Sequence, residues 1–141
     1  MDKFDWNNYF IFSKKLLADN RLDKKYDEET ICRVAISRAY YAAYHAALNF
    51  SVSDKKFDVQ FGSGSHDSLI LAYKEMKKGN EKFQTACRTI GNILSTLKKI
   101  RVKADYHETC IRGEAMNYYN AHSVCKKVGK LLDKINDLAL L

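Results

Sequence analysis

Apolar residues recur at intervals of three and four along most of the chain, and this spacing places them on one side of an α-helix. Ser65 and Asn80 are suited to cap helices that follow them, because their side-chain oxygens can accept hydrogen bonds from first-turn N–H groups. Gly79 is expected to end the helix before Asn80. The pattern therefore predicts five helices, over residues 5–20, 28–50, 66–78, the stretch from Asn80 into Arg101, and 114–138.

The second predicted helix has the widest apolar surface. Its stripe of alanines would let neighbouring helices approach closely, and three tyrosines would supply bulk and a polar tip that needs a partner. We expect this helix to lie centrally and to contact every other helix. Its stripe includes Ile31, Val34, Ala35, Ala39, Ala42, Ala43, Ala46 and Leu48, with Tyr40, Tyr41 and Tyr44 beside it.

The last two predicted helices carry stripes with different implications. The apolar stripe of the fourth helix runs along the helix to Arg101. The fifth has an apolar seam that could pack internally or form a dimer. One hypothesis for the protein, to be weighed against two others below, is a helical structural protein that only forms a dimer through this seam. A polar loop with a flexible Gly62–Gly64 connector precedes the third helix, and a break near Arg112 and Gly113 precedes the fifth. The stripe of the fourth helix is Phe83, Ala86, Cys87, Ile90, Leu94 and Leu97, and the seam of the fifth is Ala121, Val124, Val128, Leu131, Ile135 and Leu138.

Composition supports a helical fold. The 141 residues include no proline and only six glycines, so the frequent turn signals of sandwiches and barrels are missing. We predict an all-α, up-and-down type bundle forming a single domain over residues 1–141. Neither a secretory signal nor a membrane-spanning stretch is expected. The four scattered cysteines are typical of reduced thiols, which predicts a cytoplasmic protein with no membrane association.

The net charge of +7 is concentrated in one part of the chain. Residues 74–103 hold nine lysines and arginines against two acidic residues, and elsewhere the charges balance. A localised basic surface attracts polyanions, RNA and DNA among them, through counterion release. The alternative is a lysine-rich helix face that is simply solvated.

Three sequence blocks carry a resemblance to a known family. They read SRAYYAAYHAA over Ser37–Ala47, Ser65 with His66, and LKKIRVKADY over Leu97–Tyr106. In this order and spacing the chain resembles the small stand-alone prokaryotic members of the HEPN superfamily (higher eukaryotes and prokaryotes nucleotide-binding domains). The resemblance implies a helical bundle, a homodimer, and RNA cleavage or nucleotide binding, often in toxin–antitoxin or phage-defence systems.

The resemblance also implies a site. Active members share an arginine followed after four to six residues by a histidine, and Arg101 and His107 match that spacing. The implied reaction is metal-independent and needs no cofactor: the RNA 2′-hydroxyl attacks the neighbouring phosphate, leaving a 2′,3′-cyclic phosphate and a 5′-hydroxyl. Histidine can transfer the proton near neutral pH, and arginine can stabilise charge on the phosphorane. The expected catalytic residues are Arg101 and His107 in a cleft between protomers, and the expected binding residues are Lys98, Lys99, Lys103, Asp105 and Tyr106.

Several alternatives stay open at these positions. On a regular helix Arg101 and Asp105 share a face and can form an ordinary ion pair, while His107 lies about 120° away. The protein would then be a non-catalytic module that binds a nucleotide, a nucleotidyltransferase or another defence protein. Arg38 and His45, with six residues between them on the second helix, also satisfy the motif spacing.

Other side chains have more than one interpretation. Tyr106 is either a modification site or a residue at the edge of the core. His66 is expected to cap or pack a loop. His107 with Cys110, and His122 with Cys125, are each three residues apart and could hold zinc together, although cysteines at helical spacing are usually small core residues.

Overall fold

The computed structural model describes residues 3–19, 21–58, 66–108 and 114–141. Within these ranges the chain is a bundle of five α-helices with no strand, which confirms the predicted fold class. A short 3-10 turn, Leu22–Lys24, joins the first two helices. The helices are α1 (Asn7–Ala18), α2 (Glu28–Ser53), α3 (His66–Lys74), α4 (Glu81–Tyr106) and α5 (Tyr118–Leu138).

Helix α2 lies at the centre of the bundle and contacts the other four helices, as predicted. Helix α3 packs on α4, and α5 packs on α1, α2 and α4. All the alanines of the α2 stripe except Ala46 are buried, but Val34 is 42% exposed, so its inclusion in that stripe was wrong. The described residues therefore leave much of the Val34 side chain uncovered. None of the described helices combines the length and apolar character needed to cross a membrane.

The side chains of α5 settle one alternative. The six seam residues, from Ala121 to Leu138, are all buried within the chain itself. The seam therefore packs internally, and it gives no support to a protein whose main role is dimer formation through this helix. The stripe of α4 is likewise buried, apart from the half-buried Ala86.

Helix ends follow local capping. The Asp27 side chain accepts a hydrogen bond from the Thr30 N–H at 2.7 Å and begins α2, and the Asn80 side chain accepts from Phe83 at 2.8 Å, as predicted. Helix α5 begins at Tyr118 rather than at residue 114, because Asn117 and Asn120 cap each other reciprocally there.

Helix α3 is shorter than predicted. It ends at Lys74 rather than at residue 78, and the chain then buries Met76 before turning at Gly79, whose φ is +81°. Such a φ favours glycine. The predicted Ser65 cap, the connector over residues 62–64 and the break at residues 112–113 lie outside the described residues.

Candidate functional site

A groove of about 480 Å³ runs between α3 and α4. Its apolar surface comes from Ile70, Leu71 and Val102, and four lysines surround that surface. We call it the α3–α4 groove. Its lining residues are Asp67, Ile70, Leu71, Lys74, Ser95, Lys98, Lys99, Val102, Lys103 and His107. Four of the nine lysines and arginines in residues 74–103 therefore line one groove.

Positive charge dominates this groove. Asp67 is its one carboxylate, and it forms an ion pair with Lys98. That lysine holds the pKa of Asp67 below its usual value. Within the described part of the chain, Lys74 and Lys99 form no ion pair. Their charges are thus available to an anionic ligand, and the structure brings the predicted Lys98, Lys99 and Lys103 together there.

His107 lies at the C-terminal end of α4, where its exposed side chain lines the same groove. Its backbone N–H donates to the Lys103 carbonyl at 3.1 Å. A histidine among lysines can exchange a proton with a bound phosphate ester or its 2′-hydroxyl. Of the two predicted catalytic residues, His107 therefore lies on the α3–α4 groove.

Arg33 on α2 holds this end of α4, and the sequence analysis missed it. Its guanidinium donates to the carbonyl oxygens of Lys103 (3.2 Å), Ala104 (2.9 Å) and Glu108 (3.1 Å), and it pairs with Glu29 at 2.8 Å. A cation at a helix C-terminus stabilises the unpaired carbonyl groups there. The sequence shows only that Glu29 and Arg33 are four residues apart. That spacing indicates an ion pair, but it does not indicate the contact of Arg33 with the carbonyl groups at the end of α4.

Arg101 lies in different surroundings from His107. It is only 6% exposed and is absent from the lining of the α3–α4 groove. Its guanidinium sits over the Tyr40 and Tyr41 rings, 5.1 and 5.5 Å from their centroids. Its Nη1 is 3.5 Å from the Asp105 carboxylate, which also accepts from Ser37 at 3.2 Å. Arg101 thus joins α4 to α2. The Arg101–Asp105 ion pair, which the sequence offered as an alternative to a catalytic Arg101, is observed.

Tyr106 is part of neither the α3–α4 groove nor the set of side chains around Arg101. Its side chain is 74% exposed, so the alternative that it fills the edge of the core was wrong. It also lies outside the lining of the α3–α4 groove. A side chain exposed at the end of α4 contributes little to the packing and is open to solvent.

His66, the first residue of α3, packs against helix α2, whereas the sequence predicted that it would cap a helix or pack a loop. Its Nδ1 forms a 2.7 Å hydrogen bond with the Tyr40 hydroxyl, and its ring stacks on Tyr44 with centroids 4.0 Å apart. Burial, with Arg101 and Lys98 nearby, lowers the pKa of His66. The ring is therefore neutral at pH 7, where it can keep this contact between α2 and α3.

Stability should fall as the pH is lowered from 7.5 towards 5. Burial lowers the pKa of both His45 and His66 in the folded chain, whereas in the unfolded chain they titrate near pH ~6.5. The unfolded state therefore takes up protons first, and the free energy of unfolding decreases through that interval. Urea titrations at several pH values measure this. His66→Gln should reduce the pH dependence, and an unchanged dependence in that variant would rule out a contribution from His66.

The described residues give little support to the zinc-binding alternative. Among the described residues no three His, Cys, Asp or Glu side chains are grouped so that they could hold a metal ion. His122 is exposed while Cys125 is buried, and Cys110 lies outside the described residues. Burial raises the pKa of the Cys125 thiol to about 11, so without a metal ion the thiol is protonated at neutral pH.

The second arginine and histidine with the motif spacing do come together. Arg38 and His45 line one pocket between α1 and α2, beside Trp6, Tyr9 and Tyr41.

Comparison of the chain with protein-family models, curated proteins and solved structures finds no match. The HEPN resemblance therefore stays a prediction from the sequence.

Proposed function

We propose that this protein is an RNA-binding protein of the HEPN type and that RNA phosphates lie in the α3–α4 groove. The observation that carries the proposal is the gathering of four lysines and His107 along one groove with a single carboxylate. Lysine ammonium groups neutralise phosphates and release the counterions condensed on the nucleic acid. Apolar surface from Ile70, Leu71 and Val102 between them can contact unstacked bases of a single strand.

Replacing Lys74 and Lys99 together by glutamine is expected to weaken RNA binding about tenfold or more at low salt. Each lost phosphate contact also reduces the salt dependence of binding, so the slope of log K against log salt should fall by about 1.4 for a single strand. Fluorescence anisotropy with a labelled single-stranded RNA measures both quantities.

A matched control removes the same charge elsewhere. Lys126 and Lys130 are exposed on α5 and lie outside the α3–α4 groove. The double variant Lys126→Gln/Lys130→Gln should keep most of the affinity and salt slope of the wild type. Equal losses in the two double variants would show that the protein responds only to net charge, and the groove assignment would fail.

The proposal includes catalysis as a homodimer. His107 would exchange the proton of the 2′-hydroxyl, and Arg101 would stabilise the phosphorane in a cleft between protomers. The exposure of His107 among groove lysines supports its part. For Arg101 to contact phosphate, its guanidinium must leave the Tyr40 and Tyr41 rings and the Asp105 carboxylate.

A second candidate, a non-catalytic module of the same fold, is favoured by the surroundings of Arg101. A buried arginine in an ion pair with Asp105 already has a structural role that needs no substrate. Such a module would bind a nucleotide, a nucleotidyltransferase or another defence protein.

Labelled RNA incubated with the purified protein in EDTA separates these candidates. Cleavage that leaves 2′,3′-cyclic phosphate ends and disappears in His107→Ala would establish the metal-independent endoribonuclease. Salt-sensitive binding with intact RNA would favour the non-catalytic module. If neither binding nor cleavage is seen, the RNA proposal fails.

A further inference from the structure

Two helices present matching faces to the α3–α4 groove. On each helix the lining residues recur at i, i+3, i+4 and i+7, the spacing of a single helix face. At 1.5 Å per residue, the groove extends about 10 Å along α3 and about 18 Å along α4. The face of α3 consists of Asp67, Ile70, Leu71 and Lys74, and that of α4 of Ser95, Lys98, Lys99 and Val102, continued by Lys103 and His107.

The surface of this groove is mainly apolar, although four lysines line it. Ile70, Leu71 and Val102 form what we call the apolar floor. Leu71 is 52% exposed, and Val102 is half-buried. Lysine side chains extend such a surface with their methylene stems while the ammonium groups stay in water. An apolar surface that water still touches gains free energy when another apolar group covers it.

The positive charge lies at the edges of this apolar floor. Asp67 already pairs with Lys98, whereas Lys74 and Lys99 form no ion pair within the described part of the chain. An acidic group that enters the groove can therefore pair with an ammonium group without displacing a carboxylate. The charge complementarity favours a ligand that carries an anion and an apolar part in one molecule.

We propose that the α3–α4 groove also binds a free long-chain fatty acid, with the alkyl chain on the apolar floor and the carboxylate among the lysine ammonium groups. With C–C bonds of about 1.5 Å, an extended chain of about twelve carbons is about 14 Å long, which matches the length of the groove. The inference goes beyond the proposed function and rests on it for one consequence only. Since both ligands would occupy one groove, the fatty acid should displace RNA.

A chain-length series tests the contact with the apolar floor. Isothermal titration calorimetry of the full-length protein would compare octanoate, decanoate and dodecanoate, each below its critical micelle concentration. Affinity should rise about two- to fourfold for each added CH₂ group. Dodecanol lacks the charge and should bind about tenfold more weakly than dodecanoate. Equal affinities for the three acids, or no binding of dodecanoate, would overturn the proposal.

Leu71→Ser removes the exposed apolar side chain of the floor and should weaken dodecanoate binding about tenfold. The affinity for RNA should fall much less, because phosphate contacts dominate that binding. Ile11→Ser is the matched control, since Ile11 is an apolar residue exposed on α1 and lies outside the groove. Circular dichroism checks that each variant is folded. Dodecanoate binding at wild-type strength in folded Leu71→Ser would exclude the assignment.

A second pair of variants tests the charges. Lys74→Gln/Lys99→Gln should weaken dodecanoate binding about tenfold, whereas Lys126→Gln/Lys130→Gln on α5 should leave it unchanged. Equal losses in the two double variants would refute a carboxylate held by the groove lysines.

Two further arms separate this inference from the proposed function and identify the source of the alkyl chain. Dodecanoate should displace labelled RNA, and RNA that stays bound at saturating dodecanoate would place the fatty acid outside the groove. If the chain-length series succeeds and no RNA binds, the RNA proposal fails while this inference stands. Vesicles of phosphatidylglycerol should not sediment the protein. Sedimentation with vesicles but no binding of free dodecanoate would replace the fatty acid with a membrane surface.

Discussion

Replacing Arg101 with alanine is expected to lower the free energy of unfolding by about 2–3 kcal/mol. The change removes a buried side chain that sits over the Tyr40 and Tyr41 rings and joins α4 to α2. It also takes from Asp105 the partner of its ion pair. Urea unfolding followed by circular dichroism measures the effect.

His107→Ala is the matched control for Arg101→Ala. His107 is exposed at the end of α4, so its replacement should change stability by less than about 0.5 kcal/mol. A loss of RNA cleavage in His107→Ala would then report on chemistry, whereas a loss in Arg101→Ala must first be corrected for unfolded protein. Equal stability of the two variants would show that the contacts of Arg101 with α2 contribute nothing measurable.

Gly91→Ala is expected to destabilise the fold by about 1–2 kcal/mol. A Cβ at Gly91 would lie 2.9 Å from the backbone nitrogen of Lys74 and 3.2 Å from the Ile70 carbonyl oxygen. Backbone atoms cannot move aside as a side chain can, so α3 would be pushed away from α4. This cost exceeds the gain of about 1 kcal/mol from replacing glycine within a helix. Thermal or urea unfolding measures the change, and the RNA binding that we propose for the α3–α4 groove should weaken as well.

The same substitution in α5 should have the opposite sign. Among the described residues, a Cβ at Gly129 would meet only the Phe10 ring, at 3.6 Å, which is ordinary van der Waals contact. Gly129→Ala should therefore stabilise the fold by about 0.5–1 kcal/mol through helix propensity alone. If both variants stabilised the protein, the close approach of α3 to α4 at Gly91 would be refuted.

Much of the fold could be predicted because it depends on short-range patterns. Three- and four-residue spacing indicated the buried faces of α4 and α5, and Asn80 was recognisable as a cap before Glu81. Errors arose where a local pattern competed with packing. Helix α3 ends early where Met76 turns into the core, and Val34 faces away from the neighbouring helices despite its apolar side chain.

The candidate site, like the fold, could be predicted from the sequence only in part. The lysines near Arg101, and the pairing of Arg101 with Asp105 one turn later, were visible in the sequence because i,i+4 residues share a helix face. The contact of Arg33 with carbonyl groups some 70 positions later was not, since it depends on how α2 crosses α4. The same holds for the pocket that brings Trp6 to Arg38 and His45.

Five helices, the central position of α2 and the concentration of positive charge before residue 104 could all be predicted from local sequence patterns. Helical periodicity and charge are properties of neighbouring residues, so they can be read along the chain. In contrast, the position of His107 on the α3–α4 groove and the packing of Arg101 on Tyr40 depend on how the helices pack together. Residues six positions apart lie on different faces of a helix, and which neighbours those faces meet depends on the packing of the whole bundle.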